Sequence, residues 1–184
     1  MPDEGMWDTF FAPEKILETL GLDNMVEDVV EFGCGYGTFT YPAAKVIRGK
    51  IFAIDIEPEM ISFTTSKKIE FCLPNIVPVL RDFLADGSGL EDESVDYVML
   101  FNILHLENPI SLLTEVKRIL KKGGKVGIIH WNYDSTTPRG PAIEIRPKPE
   151  ECVQWAMDSG FVDPIEFDLK PYHYGIVLTK TEDM

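Results

Sequence analysis

Hydrophobic positions along this chain keep changing their spacing, from short unbroken apolar runs to apolar residues three and four apart. Runs of the first kind predict strands buried in a sheet, and the second kind predicts helices with one buried face. Pro13 to Leu20 begins with a proline and carries Ile16, Leu17 and Leu20, which predicts a short helix. Val29 to Phe32 is a strand, and Phe39 to Ile47 a helix with Pro42 in its first turn, where proline is tolerated. Ile51 to Ile54 is a β-branched strand ending at Asp55, followed by a helix from Pro58 through Met60 and Ile61 to about Lys68. Ile76 to Leu80 is a strand that Pro78 assigns to a sheet edge. Val95 to Phe101 is apolar enough to be buried on both faces.

The second half repeats the alternation. Leu112, Leu113, Val116, Ile119 and Leu120 predict a helix from Pro109 to Lys121, stopped by Gly123-Gly124. Val126 to Ile129 is the next strand, Pro149 to Ser159 a helix closed by Gly160, and Ile165 to Leu169 and Tyr172 to Thr179 the last two strands. Strands alternating with helices predict an α/β fold, a doubly wound and mostly parallel seven-stranded sheet. The final two strands are joined by little more than Lys170-Pro171. A parallel pair needs a crossover of about a dozen residues or more, so the last strand is antiparallel.

Composition narrows the class. A chain of 184 residues, 45% hydrophobic and 26% charged, is expected to be one globular domain spanning 1–184. No apolar run approaches the roughly 20 residues of a membrane span, and the acidic start Met1-Pro2-Asp3-Glu4-Gly5 is not a secretory n-region. The expected compartment is therefore the cytoplasm. A formal net charge of −14 argues against a nucleic-acid partner, whose phosphates it repels. The three cysteines, Cys34, Cys72 and Cys152, lie far apart and fit neither a disulfide framework nor a metal pair.

The most informative stretch runs from Val29 to Thr38, VVEFGCGYGT. A strand ends in an acid, glycines follow at every second position, and a helix begins directly after. Such a turn lets a ligand lie against bare backbone. Glu31 beside it suits a cationic or amino-bearing ligand better than a phosphate. A dinucleotide turn also needs a third glycine where Thr38 stands.

With Glu31-Phe32-Gly33-Cys34-Gly35-Tyr36-Gly37 as its first motif, the chain resembles the class I S-adenosylmethionine-dependent methyltransferases, in particular the small-molecule group related to the ubiquinone and menaquinone methyltransferases. Asp55 matches that family's ribose-binding acid, 18 positions after Gly37, and Arg81-Asp82-Phe83 its adenine-binding segment. Val95-Asp96-Tyr97-Val98 matches the strand leading to the catalytic face, and Arg118 to Gly124 the helix-to-strand signature. The resemblance implies S-adenosylmethionine as cofactor. Gly33, Gly35 and Gly37 would be cofactor-binding, the amides of the Gly35-Tyr36-Gly37 turn and of the helix start behind it taking the methionine carboxylate; Glu31 would face the ammonium and sulfonium, and Asp55 the ribose. Asp82 would meet the adenine amino group, Ile56 and Phe83 its ring, and Asn102 the methionine part.

In open α/β sheets ligands sit outside the carboxyl ends of the strands. His105 follows the fourth strand there, His130 and Trp131 end the fifth, and Tyr172 and His173 begin the last strand at the same edge. His105 and His130 are the candidates for a catalytic base or orienting group, or alternatively cap a helix or bond a carbonyl. No pair of them has helical ligand spacing, so no metal is expected. The proline-rich stretch 132–149 is expected as a substrate-side loop, whose Arg139 and Arg146 either hold an acidic substrate or pair with surface acids. Trp131 and Tyr172 join Arg139 as substrate-side candidates. Residues 1–25 form only a short N-terminal extension, with Met6 to Phe11 as a candidate aromatic cover. Many relatives carry a longer lid, so the pocket stays open or a second copy completes it as a homodimer. The expected activity is methyl transfer to a small molecule. A nicotinamide-dependent oxidoreductase and a non-catalytic S-adenosylmethionine-binding subunit are the alternatives.

Overall fold

A computed structural model describes residues 11–181. Seven strands form one sheet in the order β3-β2-β1-β4-β5-β7-β6. They are β1 (Val29–Phe32), β2 (Ile51–Asp55), β3 (Ile76–Leu80), β4 (Val95–Phe101), β5 (Leu120–Trp131), β6 (Phe161–Leu169) and β7 (His173–Lys180). β1 pairs in parallel with both β2 and β4, and β7 runs antiparallel between β5 and β6. The helices are α1 (Pro13–Thr19), α2 (Thr40–Val46), α3 (Pro58–Glu70), α4 (Phe83–Asp86), α5 (Pro109–Ile119) and α6 (Pro149–Asp158).

The alternation of side chains along each central strand builds two cores. Val30, Phe32, Val98 and Leu100 point to the face covered by α5 and α6, where they meet Leu112, Leu113, Val116 and Ala156. Val29, Tyr97 and Met99 point to the other face and meet Leu17 of α1 and Ala43 and Ala44 of α2. The chain leaves β1 toward β2 and β3, then returns to the other side of β1 as β4. That reversal opens a crevice at the carboxyl ends of β1 and β4.

Three boundaries differ from the sequence expectation. α5 ends at Ile119 and β5 starts at Leu120, so Gly123-Gly124 lie inside the strand rather than stopping the helix. The register with β4 jumps from Val95–Leu120 to Tyr97–Lys125, a bulge that the two glycines permit. A Cβ on Gly124 would stand 2.8 Å from the Lys121 carbonyl oxygen. β6 starts at Phe161 rather than Ile165, because an outer strand accommodates Pro164 at its own register shift. α4 and a 3₁₀ turn at Ile143–Ile145 are short elements that no hydrophobic period marks. Pro78 does lie in an outer strand, β3. No helix among the described residues is long and apolar enough to cross a membrane.

Candidate functional site

A cavity of about 380 Å³ opens at the carboxyl ends of β1, β2 and β4, within the size range of small-molecule sites. Glu31, Gly33, Gly35, Asp55, Ile56, Phe83, Asn102 and His105 line it. The cavity wall thus holds two carboxylates and, among the described residues, no lysine or arginine.

Glu31 is only 3% exposed, because β1 is buried along its whole length in the middle of the sheet. Its Oε2 accepts a hydrogen bond from the hydroxyl of Thr40, the first residue of α2. Burial pushes the Glu31 carboxyl up to about 8, Thr40 opposes the shift, and the Asp55 charge adds to it. Without a cation beside it, Glu31 is therefore mostly neutral at pH 7.

Asp55 ends β2 and ties the turn down with both oxygens. Oδ2 accepts from the Gly35 amide at 2.8 Å, and Oδ1 from the Glu57 amide at 2.9 Å. Gly37 donates its amide to the Cys34 carbonyl at 2.9 Å, and Gly33 and Cys34 donate theirs to Ile54. The amides of Gly35 and Gly37, expected to take a ligand carboxylate, thus serve the turn itself. Gly33 and Gly37 have φ of 72° and 80°, in the left-handed region that favours glycine.

Asn102 follows β4 with φ 57°, donating its amide to the Ile129 carbonyl at 2.7 Å. Its side-chain Oδ1 is buried with no hydrogen-bond partner among the described residues. A buried acceptor without a donor is costly, and this one stands in the cavity wall. Asp82 is placed differently. Its Oδ1 caps α4 by accepting from Leu84 and Ala85, at 3.1 and 3.0 Å, and it does not line the cavity.

The three histidines come to one edge. Half-buried His105 stands on the wall, with Nδ1 3.4 Å from Nε2 of His130. His130 is fully buried behind it, stacked near Tyr174, and its Nδ1 accepts the Trp131 amide at 3.0 Å. Burial, then the His105, Arg146 and His173 charges, lower His130 to about 3. His173 is buried between the rings of Phe11 and Trp131, at 4.3 and 4.2 Å, and burial and Arg146 likewise lower it to about 3.

The substrate-side candidates lie off this wall. Trp131 is fully buried beneath the 132–149 loop, where a Cβ on Gly140 would press on its ring at 2.8 Å. Tyr172 stacks on Trp131 with ring centroids 6.2 Å apart. Arg139 is exposed in the loop. Arg146 is 6% exposed and pins the loop, donating to the carbonyls of Asn132, Asp134, Arg139 and Pro141 and to the Thr137 hydroxyl. Residues 6–10 of the aromatic cover lie outside the described residues; Phe11 lines the cavity. No group of three or more metal-ligating side chains occurs among the described residues.

Tyr36 and Cys34, both within the glycine motif, also line the cavity; Thr40 and the apolar lining residues Phe39, Phe101, Ile103 and Leu106 were not expected from the sequence. Thr40 alone left a signal, a hydroxyl at the start of a helix directly after the turn. Burial raises the Cys34 thiol well above its ordinary value, which keeps it inert. A second cavity, at the amino ends of the strands, is lined by Asp92, Glu93, Lys117, Arg118 and Lys180. Arg118 there pairs with Glu115 at 2.8 Å and Lys180 with Glu93 at 3.2 Å.

Known proteins share this architecture. The sequence model of the methyltransferase domain family matches residues 30–128. An uncharacterized methyltransferase-like protein of Schizosaccharomyces pombe is 33% identical over 110 residues, which is 60% of this chain and 40% of that protein. The aklanonic acid methyltransferase of Streptomyces sp. strain C5 is 32% identical over 103 residues, 54% of this chain and 46% of its own length. The chain thus spans less than half the length of these curated relatives. Among solved structures, an S-adenosylmethionine-dependent methyltransferase from Aquifex aeolicus superposes with a TM-score of 0.86 at 26% identity, covering 96% of this chain and 93% of its own. The [4+2]-cyclase SpnF shares the fold at TM-score 0.78 and 13% identity, covering 91% of this chain and 80% of its own, so the fold by itself does not fix the chemistry.

Proposed function

The chain belongs to the methyltransferase domain family, and from that premise we propose that it binds S-adenosylmethionine in the cavity at β1, β2 and β4 and transfers its methyl group to a small-molecule acceptor. The observation that carries this reading is the make-up of the wall: the Asp55 carboxylate, the Glu31 carboxyl that ionises readily only beside a cation, an unpartnered Asn102 oxygen and no lysine or arginine among the described residues. Such a wall suits a cation and offers a pyrophosphate no counter-charge of its own, which disfavours the nicotinamide alternative.

The residues present fit the cofactor by chemistry. Glu31 ionises when an ammonium or sulfonium replaces its missing counter-charge. The Asn102 Oδ1 gains a donor. Asp55 keeps lone pairs beyond its two backbone bonds for ribose hydroxyls, and Ile56, Phe83 and Leu84 offer apolar surface for a base. The bound cofactor supplies a methyl group already activated by its sulfonium. The protein's task is then to hold the acceptor close and in line, and to exclude water.

The activity is tested by incubating the purified chain with methyl-labelled S-adenosylmethionine and a panel of phenols, amines, thiols and carboxylates. Labelled product from the chain alone supports an enzyme. Cofactor binding without transfer to any member of the panel favours a non-catalytic binding subunit.

A further inference from the structure

His130 has one of its two ring nitrogens already committed. Its Nδ1 accepts the Trp131 backbone amide at 3.0 Å, so it carries no proton. A neutral imidazole then bears its single proton on Nε2, the atom 3.4 Å from His105 Nδ1. That contact is a hydrogen bond only if His105 Nδ1 accepts, which leaves the His105 proton on its own Nε2. A backbone amide at the end of β5 thus sets the polarity of two rings in series. His105 is the ring of the pair that stands in the cavity wall, and His130 does not reach it.

Resting on the methyltransferase reading above, we propose that His105 is a hydrogen-bond donor through Nε2 rather than a general base, that His130 is its positioning residue, and that the methyl acceptor is an oxygen already ionised in solution, a carboxylate. Such an oxygen has lone pairs enough to accept from His105 and still attack. The acceptor oxygen forms the C–O bond as the methyl carbon's bond to sulfur breaks, and the electron pair of that bond stays on sulfur. The negative charge of the acceptor and the positive charge of the sulfonium cancel, and no proton needs a base.

The surroundings agree. A His105 that took up a proton would carry N–H at both nitrogens and turn one toward the His130 N–H. The groups acting electrostatically on His130 are His105, Arg146 and His173, and each opposes a positive charge there. Burial also lowers His105 from its ordinary value. Tyr174, stacked against His130, bonds instead to the Pro147 carbonyl at 2.9 Å and to Cys152, and neither contact reaches the imidazole nitrogens.

Long-range ¹H–¹⁵N correlation spectra of the ¹⁵N-labelled chain, recorded at pH 7 with and without S-adenosylhomocysteine, read each ring's tautomer directly. The expected result is the Nε2–H form for both His105 and His130. A His105 with its proton on Nδ1, or an imidazolium at that pH, overturns the proposal. His130→Phe removes the donor to His105 Nδ1, so the single tautomer is expected to give way to a mixture; a spectrum identical to wild type overturns the role given to His130. In the labelled-methyl panel, benzoates are expected to be methylated on oxygen, and transfer to phenols, amines or thiols but not to benzoates overturns the acceptor assignment. His105→Gln, which keeps a side-chain N–H donor, is expected to raise the acceptor KM less than His105→Leu does. His105→Leu is expected to raise the acceptor KM about tenfold or more. Equal inactivity of the Gln and Leu variants overturns the donor role. Absence of S-adenosylhomocysteine binding would instead remove the methyltransferase reading, and the tautomers would still be read.

Discussion

Glu31 is where the chemistry of this molecule concentrates. Burial holds its carboxyl near 8, and a cationic ligand beside it is expected to reverse that. At about 1.4 kcal/mol per unit, the shift from 4.5 to about 8 makes ionisation of the empty site cost a few kcal/mol. Glu31→Gln keeps the shape and removes the charge. The variant without ligand is expected to unfold at a higher temperature than wild type at pH 8.5, while its S-adenosylmethionine affinity falls about tenfold or more. Thermal denaturation and a binding titration check the two halves. Wild-type affinity for the cation is expected to rise with pH up to about 8, with a proton released on binding at pH 7, measurable in buffers of different ionisation enthalpy. At this scale the residues that the sequence groups as one candidate site, Glu31, Asp55, Ile56, Phe83 and Asn102, all line one cavity. Asp82 lies outside that lining and caps α4; an acid just before a helix suits a cofactor and an N-cap equally well in one dimension. The direction of the His105–His130 pair was equally hidden, since it depends on one backbone amide at the far end of β5.

Among the elements, strands and long helices followed the hydrophobic periods, and what escaped was irregular backbone. The bulge in β5, the short α4 and the loop over Trp131 are made by glycines, caps and one buried arginine, none of which leaves a period in the sequence. Arg146 shows the consequence. Its five hydrogen bonds are made to four carbonyls and a hydroxyl, so it folds the loop upon itself instead of facing a ligand. Arg146→Met strips these acceptors of their donor. Limited proteolysis is expected to cut between residues 132 and 146 about tenfold faster in the variant. Its S-adenosylhomocysteine affinity is expected to stay within threefold of wild type, because the loop does not line the cavity.

For the molecule as a whole, two sets of buried groups pull stability in opposite directions with pH. His130 and His173 are depressed from 6.5 to about 3, so between those values the unfolded chain binds more protons and stability rises with pH. Glu31 is raised from 4.5 to about 8, so across that window the folded chain binds more protons and stability falls with pH. Two histidines outweigh one acid up to 6.5, and above it only the acid acts. The melting temperature of the ligand-free protein is therefore expected to peak near pH 6.5 and to decline toward pH 8. S-adenosylmethionine is expected to remove the decline by supplying the cation that Glu31 lacks.

This cavity is expected to hold S-adenosylmethionine, and isothermal titration calorimetry of the purified chain tests that most directly. S-adenosylmethionine and S-adenosylhomocysteine are expected to bind in the micromolar range, NADH not at all. Asp55→Ala is expected to weaken both cofactors by about tenfold or more, since Asp55 holds the glycine turn as well as offering acceptors. No heat of binding from either cofactor, or NADH binding in their place, would contradict the account.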